Sequence, residues 1–566
     1  MKKALEIIFT SDIHGHVFPV DYPSGEAENS GILNMAHQIK KEKNMLVLDG
    51  GDSLQGTPLL QYYIAHRKEY PHHPVAEALR AAGCDYFTLG NHDFNFGYET
   101  LRDYVQAMQR EDAACAHPAR CLCANVEDLR GELGIEKTAV HVLENGLRVG
   151  ITGIVTDYVN VWEQPQNLSD LRITDAFEAA QKACAELRAQ CDFCICIYHG
   201  GYEEDLETGR LLTAGGENIA CRIARELDFD LLLTGHQHMK TDGRWLYGTY
   251  TLQPPANAGC YARVRVELSA DRVFPGGGDR NAQLDARKPG TWTGDTDGEI
   301  FSDEEKMEAG PGRQDIADFP EGGASHWHIS SFWEQVAAEH DAQPYQRLLP
   351  LERETQKWLD EPVGFLGREI PAENKLEAAL YGSELADLFN QVQLAETGAD
   401  FSCTSLGNTP VGLEREVTMR AICGAYLFAN TLVVLEVDEK VLRAALERCA
   451  SYFTLKDGRI QISEEFIKPK IEHYNYDFYA GLQYRFDLEK PVGQRVVTLK
   501  KADGTELGDK KYRLVTSNYR ATGTGGYEAL AECPVLWRGD KEMPELIADY
   551  IRKNSPVLLR QSNPVT

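Results

Sequence analysis

Ile7-Ile8-Phe9-Thr10-Ser11-Asp12-Ile13-His14-Gly15 sets two metal-type side chains, Asp12 and His14, just past an apolar, strand-like run. The arrangement returns four times: Asp52 in LDGGDS (48–53), Asn91 and His92 in TLGNHD (88–93), His199 in CIYHGG (196–201), and His236 with His238 in LTGHQH (233–238). Residues i and i+2 of an extended backbone point to one side, so Asp12 with His14 and His236 with His238 are each expected to pinch a cation. Carboxylate, amide oxygen and imidazole form the mixed O/N set that borderline divalent ions accept. Gly15, Gly50, Gly51, Gly90, Gly200, Gly201 and Gly235 stand beside these residues, where tight strand exits and close backbone approach favour a residue without Cβ. A lone Asp-x-His or His-x-His is more often a capped turn than a metal site. Five such segments in one chain read as a two-metal hydrolase centre.

Working outward, residues 1–268 repeat a rhythm of strand, ligand loop and helix. Ile7–Phe9 precedes a helical GILNMAHQIKKE, Met45–Leu48 precedes TPLLQYYIAH, and Tyr86–Leu89 precedes ETLRDYVQAM. VGITGIV and FCICIYH continue the strand series, and CYARVRVELS is expected to close it with a further strand. Such alternation implies an α/β sheet, and ligands at the carboxyl ends of successive strands converge on one rim, where open α/β sheets place their sites. His16, His72 and His73 lack this context and read as structural or solvated.

The 566 residues exceed what one hydrophobic core organises, so two domains with a connector are expected. From about residue 270 to 323 the chain turns dense in Gly, Asp and Pro and reads as a surface insertion or linker, its acidic run SDEEKMEAG a solvated loop. From Trp333 to Leu359, within FWEQVAAEHDAQPYQRLLPLERETQKWL, the pattern predicts a helical connector despite Pro344 and Pro350. This gives three segments: 1–268, 269–345 as insertion and start of the connector, and 346–566 as its end and a second domain. That second domain, with SELADLFNQVQLAETGADFS and YRLVTSNYRATGTGGYEAL, reads as mixed α/β. Phe428 in LFANT and Tyr519 in SNYRATGTGG stand beside turn residues, as partners that stack on a planar ligand would.

A formal net charge of −29 argues against binding nucleic-acid polymers or anionic membranes through the general surface field. An anionic substrate must be held locally, by metals. Fourteen cysteines show no regular framework, and several lie inside apolar runs (Cys194, Cys196, Cys423, Cys449), so reduced thiols are expected. MKKALEIIFTSDIHG runs into the first ligand segment without an apolar signal region, which suggests a cytoplasmic protein, an exported form with its leader removed remaining open. No apolar stretch approaches the ~20 residues of a membrane span.

With these motifs in place, the chain resembles the two-domain metallophosphoesterases, a family of 5′-nucleotidases and 2′,3′-cyclic-nucleotide 2′-phosphodiesterases with 3′-nucleotidase activity. The five N-terminal motifs stand in family order, and LFANT and NYRATGTGGY fall where the family keeps its base-stacking aromatics. The resemblance implies a four-layer α/β/β/α catalytic domain and a mixed α/β nucleotidase domain that binds the nucleoside through Phe428, Asn430 and Tyr519. It also implies that Asp12, His14, Asp52 and His238 hold one divalent ion, that Asp52, Asn91, His199 and His236 hold a second, and that Asp52 bridges them. Manganese, zinc, iron and cobalt all suit such donors. Two cations ~3.5–4 Å apart activate water, orient phosphoryl oxygens and neutralise charge as the bond breaks. His92 stays off the metals and stabilises the transition state or helps the leaving alkoxide depart.

The chain departs from the 5′-nucleotidase branch at Asn95, where that branch has a carboxylate paired with the histidine of GNH. His92 is then expected to hold a proton less firmly unless Asp93 substitutes. Gly525 stands where 5′-nucleotidases tend to have aspartate, and SLGNTP (405–410) replaces their arginine-bearing NxGGIR. These differences favour 2′,3′-cyclic or 3′-nucleotides as small-molecule substrates over 5′-nucleotides. A 5′-nucleotidase or other metallophosphatase, and a nucleotide-binding protein without turnover, are the alternatives.

Overall fold

The computed structural model describes residues 4–111, 118–212, 216–268, 327–428, 430–468 and 470–559. The N-terminal part is built on two six-stranded sheets. In the first, Ala4–Thr10, Met45–Asp49, Tyr86–Phe87 and Arg120–Cys121 run parallel, and Cys260–Leu268 and Trp327–Gln335 add antiparallel strands on the far side of Ala4–Thr10. In the second, Arg148–Val155, Phe193–His199, Leu231–Thr234 and Thr249–Gln253 run parallel, flanked by the antiparallel edges Thr138–Val142 and Thr241–Leu246.

Strand alternation decides which layer each side chain joins. Ile7 and Phe9 point inward to meet Val149, Ile195, Leu233 and Val264 in a core between the sheets. Ile8 and Val47 point outward and are covered by the helices Ile32–Gln38, Pro58–His66, Pro74–Ala81 and Gly97–Gln109. On the other flank, Cys194, Cys196 and Leu232 pack beneath Ala176–Arg188 and Ala220–Glu226. Helices, sheet, sheet and helices form the four-layer α/β/β/α arrangement.

The structure corrects the reading of the connector. Trp327–Gln335 is a strand, paired from Leu268↔Trp327 to Cys260↔Gln335, and the helix begins only at Ala342 and runs to Asp360. Part of the segment 269–345 therefore completes the first sheet. The sequence reading took 333–335 as helical because these last strand residues head a stretch whose apolar spacing turns helical from Ala342 on. Pro344 falls in the first turn of Ala342–Asp360, where backbone N–H groups have no partner within the helix, and Pro350 is carried in its interior. This helix docks on the N-terminal part through Arg347–Glu77 and Tyr22 Oη to Glu352 (2.8 Å), and Arg420 reaches from beyond it to the Tyr22 carbonyl (2.6 Å). The insertion and acidic run expected over 270–323 lie outside the described residues.

The C-terminal part is mixed α/β. Its five-stranded sheet has the order Asp477–Ala480, Phe401–Ser405, Tyr512–Ser517, Thr431–Val437, Val535–Glu542, with one parallel pairing and three antiparallel. Glu384–Thr397, Glu439–Ser451 and Met543–Asn554 are its longer helices. Among the described residues no helix is long and apolar enough to cross a membrane, and the described cysteines are free thiols, most of them buried.

Candidate active site

Each parallel strand that carries a motif hands it to the same rim. Asp12 and His14 follow Ala4–Thr10, Asp52 follows Met45–Asp49, Asn91 opens a short 3₁₀ turn after Tyr86–Phe87, His199 ends Phe193–His199, and His236 and His238 follow Leu231–Thr234. The backbone that aims them is not the extended one expected. Asp12 (φ 55°), His14 (45°), Asp52 (57°), His236 (74°) and His238 (56°) all occupy the left-handed region. That conformation is uncommon for residues with a β-carbon, is tolerated best by Asp, Asn and His, and clusters at functional sites. Side-chain convergence here comes from tight turns after the strand, and the i, i+2 alternation expected of a strand plays no part.

Neighbouring loops hold these turns in place. Asp12 N–H donates to the Gly51 carbonyl and His14 N–H to the Asp52 carbonyl, both at 2.9 Å. Asp93 accepts from the backbone N–H of Gly90, Asp52, Ser53 and Leu54 at 2.8–3.0 Å, so it straps two ligand loops together and does not pair with His92. Gly51 (φ 90°) is required, since a β-carbon there would strike the backbone of Leu89 and Gly90.

The donors fall into two groups. Asp12, His14, Asp52 and His238 offer ligand atoms within 4.8 Å of one another, as do Asp52, His199 and His236. Asp52 belongs to both. Asn91 joins the second group, its Oδ1 lying 2.8 Å from His236 Nδ1.

Protonation of the imidazoles supports a cation at this centre. His14 Nδ1 donates to the Gln55 carbonyl (2.8 Å) and His199 Nδ1 to the Gly50 carbonyl (2.7 Å), so Nε2 is the ring nitrogen each turns inward. His236 is mounted the other way, with Nε2–H on Glu217 Oε1 (2.9 Å) and Nδ1 inward. Outer oxygens that fix the tautomer of a histidine are the usual second layer of a metal site. Inside, His14 Nε2 and His238 Nε2 stand 2.9 Å apart, and the buried Asp52 Oδ2 and His199 Nε2 face each other at 3.2 Å without completing a hydrogen bond. These residues fit divalent ions. Burial lowers His14 to about 3, which keeps it neutral. Burial also opposes a charge on His199, but Asp52 and Asp12 outweigh it and raise that imidazole to about 10, so a bound cation would displace a proton there.

His92 stands beside the cluster, 5.7 Å between ring centroids from His14, with its backbone N–H donating to Asp52 Oδ1 (2.8 Å). Its Nδ1 meets Asn95 Oδ1 at 2.8 Å. The C-terminal part closes over this rim. Lys470 Nζ donates to the Gln237 carbonyl, between His236 and His238, at 3.1 Å. Glu542 is pushed up to about 7 by burial and Glu545, while His92 pulls it down, which puts this carboxyl within electrostatic reach of His92.

Of the expected nucleoside contacts, Phe428 is half-buried and sits edge-on to Tyr426 (6.1 Å) and Tyr474 (5.9 Å). Asn430 Nδ2 donates to Tyr426 Oη at 3.3 Å. Tyr519 is half-buried beside Arg520, and burial raises the pKa of its hydroxyl, with the charges of Glu472 and Glu217 adding to the effect. Gly525 (φ 80°) admits no side chain, since a β-carbon would meet Asn475 and the guanidinium of Arg520, which is itself paired with Asp477 at 2.8 Å. His16, His72 and His73 fall outside the cluster, and His73 caps the helix Pro74–Ala81. Sequence reasoning missed Glu163, Glu217, Lys470 and Glu542, which sit in no ligand motif and act across loops.

Comparison with known proteins places these observations. Residues 5–240 match the calcineurin-like phosphoesterase family and residues 367–532 the 5′-nucleotidase C-terminal domain family. The trifunctional nucleotide phosphoesterase protein YfkN of Bacillus subtilis is 23% identical over 99% of this chain, which spans 38% of that protein's length. The 2′,3′-cyclic-nucleotide 2′-phosphodiesterase/3′-nucleotidase of Haemophilus influenzae is 23% identical, covering 97% of this chain and 85% of its own. Among solved structures, one named as a Staphylococcus aureus 5′-nucleotidase in complex with α-ketoglutarate superposes with a TM-score of 0.79 at 26% identity, over 99% of both chains.

Proposed function

We propose, from the premise that the chain belongs to the two-domain metallophosphoesterases joining a calcineurin-like phosphoesterase domain to a 5′-nucleotidase C-terminal domain, that it hydrolyses nucleotide phosphoesters with two divalent ions. The observation that carries this reading is Asp52, shared by two groups of inward-facing donors at one sheet rim. Asp12, His14, Asp52 and His238 would hold one ion and Asp52, Asn91, His199 and His236 the other, with manganese, zinc, iron or cobalt suited to both. When bound, such ions activate water and neutralise phosphoryl charge. The chain's own residues do the rest: His92 presents Nε2 toward the reacting group and offers a proton to the departing ribose oxygen. Phe428, Asn430 and Tyr519 bind the nucleoside, while Lys470 brings a cation to the rim from the other domain. The strand Trp327–Gln335 supports placing the division between the domains after about residue 336.

For the substrate we favour 2′,3′-cyclic and 3′-nucleotides. Asn95 in place of a carboxylate, Gly525 with no room for a side chain, and SLGNTP without arginine all set the chain apart from the 5′-nucleotidase pattern. The test is turnover by manganese-loaded protein on 2′,3′-cyclic AMP, 3′-AMP, 5′-AMP and an aryl phosphodiester, with a coupling phosphatase for the cyclic substrate, whose ring opening alone frees no phosphate. We expect the first two to lead and His92→Ala to lose about 10²–10⁴-fold in kcat. A lead for 5′-AMP would overturn the substrate assignment, and binding without turnover would overturn the enzyme.

A further inference from the structure

The amide that replaces the expected carboxylate next to His92 is not the end of its hydrogen-bond chain. Asn95 Nδ2 donates to Glu163 Oε2 at 2.6 Å, and Glu163, only 8% exposed, follows directly on the short helix Val159–Trp162. Its other oxygen accepts from Gln164 N–H (2.6 Å) and Asn167 Nδ2 (2.9 Å), and Asn167 Nδ2 also donates to the Asn95 carbonyl (2.9 Å). Every partner of Glu163 is a donor, as an ionised carboxylate requires.

We propose that Glu163 is a positioning residue that fixes the tautomer of His92 through Asn95. The logic is one of donors and acceptors. An ionised carboxylate only accepts, so the NH₂ face of Asn95 must turn toward it. The carbonyl face of Asn95 then turns toward His92, whose Nδ1 must carry the proton to complete the 2.8 Å hydrogen bond. Nε2 is thereby left to face the substrate, and the proton it gives the departing oxygen is one it has first taken up there, Nδ1–H staying on Asn95 throughout. A glutamine at 163 could donate instead, let the Asn95 amide reverse, and release His92 to either tautomer. The same loop is tied to the other domain, Gln164 Nε2 donating to the Gly539 carbonyl (3.1 Å) and Gln166 Nε2 to Asp540 (3.3 Å), so the relay lies directly beneath a contact between domains.

The proposal rests on His92 acting in the reaction, and two readouts separate its failure from failure of that assignment. The first is the imidazole nitrogen spectrum of zinc-loaded protein labelled at histidine with ¹⁵N, the His92 signal assigned by its loss in His92→Ala. At a pH where the ring is neutral, wild type should show one Nδ1–H tautomer, and Glu163→Gln a mixture. A single unchanged tautomer in Glu163→Gln overturns the relay whatever the activity. The second is kinetic: Glu163→Gln should lower kcat on 3′-AMP about 10-fold with KM within about 2-fold, and affect p-nitrophenyl phosphate, whose leaving group needs no proton, much less. Adding Asn95→Asp, which puts an acceptor-only group directly on His92, should restore most of the loss. Rescue excludes a merely structural role for Glu163, and an equal, unrescued loss on both substrates overturns the proposal. If His92→Ala keeps full activity, the assignment of His92 fails while the spectrum still decides the relay.

Discussion

The candidate metal rim and the wall proposed for the nucleoside are built on opposite principles. The rim uses short polar side chains on strained backbone, five of them left-handed, each held by loop-to-loop hydrogen bonds. Phe428 and Tyr519 are half-buried aromatics on ordinary backbone, Phe428 edge-on to two other rings and Tyr519 beneath the Arg520 guanidinium. Strain and cross-bracing fix positions to a fraction of an ångström, which a cation requires. Half-buried rings leave room for one base to replace another, which a wall for a planar ligand requires. The contrast predicts unequal sensitivity to mutation.

The sharpest way to break it is Asp52→Ala, which removes the one donor common to both groups. Activity should fall by on the order of 10³-fold or more, with metal content per chain, read by atomic emission, falling in parallel. A variant that keeps both its metal and its turnover would end the shared-ligand reading. Glu217→Gln tests the layer behind the rim. Losing the carboxylate on His236 Nε2 should weaken metal affinity about 10–100-fold, measured by competition with a chelator, with the fold unchanged by circular dichroism.

On the wall, Tyr519→Ala and Phe428→Ala should raise KM for nucleotides about 5–100-fold, in keeping with ~1–3 kcal/mol per stacked base, and leave turnover of an aryl phosphate nearly untouched. Equal losses on both substrates would mean that these rings support the fold alone.

The smallest effect lies deeper in the C-terminal part. Lys375 is buried with its Nζ on the Leu406 carbonyl (3.0 Å), and burial lowers it from 10.5 to about 7. Between these values the unfolded chain binds the extra proton, so stability rises as pH increases from about 7 toward 10.5. The thermal midpoint of wild type should climb relative to Lys375→Met over that window. Parallel pH slopes would refute the buried, weakly basic lysine.

The same contrast explains what the sequence revealed. The convergence of the candidate ligands was legible because each follows an apolar strand in a segment that spells strand, polar side chain and glycine together, as LDGGDS and LTGHQH do. How they are aimed was not legible, since strand alternation suggested an extended pair where Asp12 and His14 take left-handed turns. The end of Trp327–Gln335 was read as helix and its start left unassigned because its pairing partner Cys260–Leu268 lies across a long intervening segment, and a single edge strand carries little periodicity of its own. Glu163, Glu217, Lys470 and Glu542 obey no spacing rule. The residues near the rim that they reach lie 19 to 233 positions away or are reached only through charge, so only the fold could bring them in.

The left-handed turns have a further consequence for anyone wishing to reuse this centre. Copying Asp12, His14, Asp52, His236 and His238 onto the strand ends of another protein would transfer the side chains and leave their directions behind, since an extended exit aims them elsewhere. What must be transplanted is the set of turns with their braces: Gly51 pressed on Leu89 and Gly90, Asp93 across four amides, and the carbonyls of Gln55 and Gly50 that hold two imidazoles. The portable unit is a scaffold of loops, and the ligands are its outermost layer.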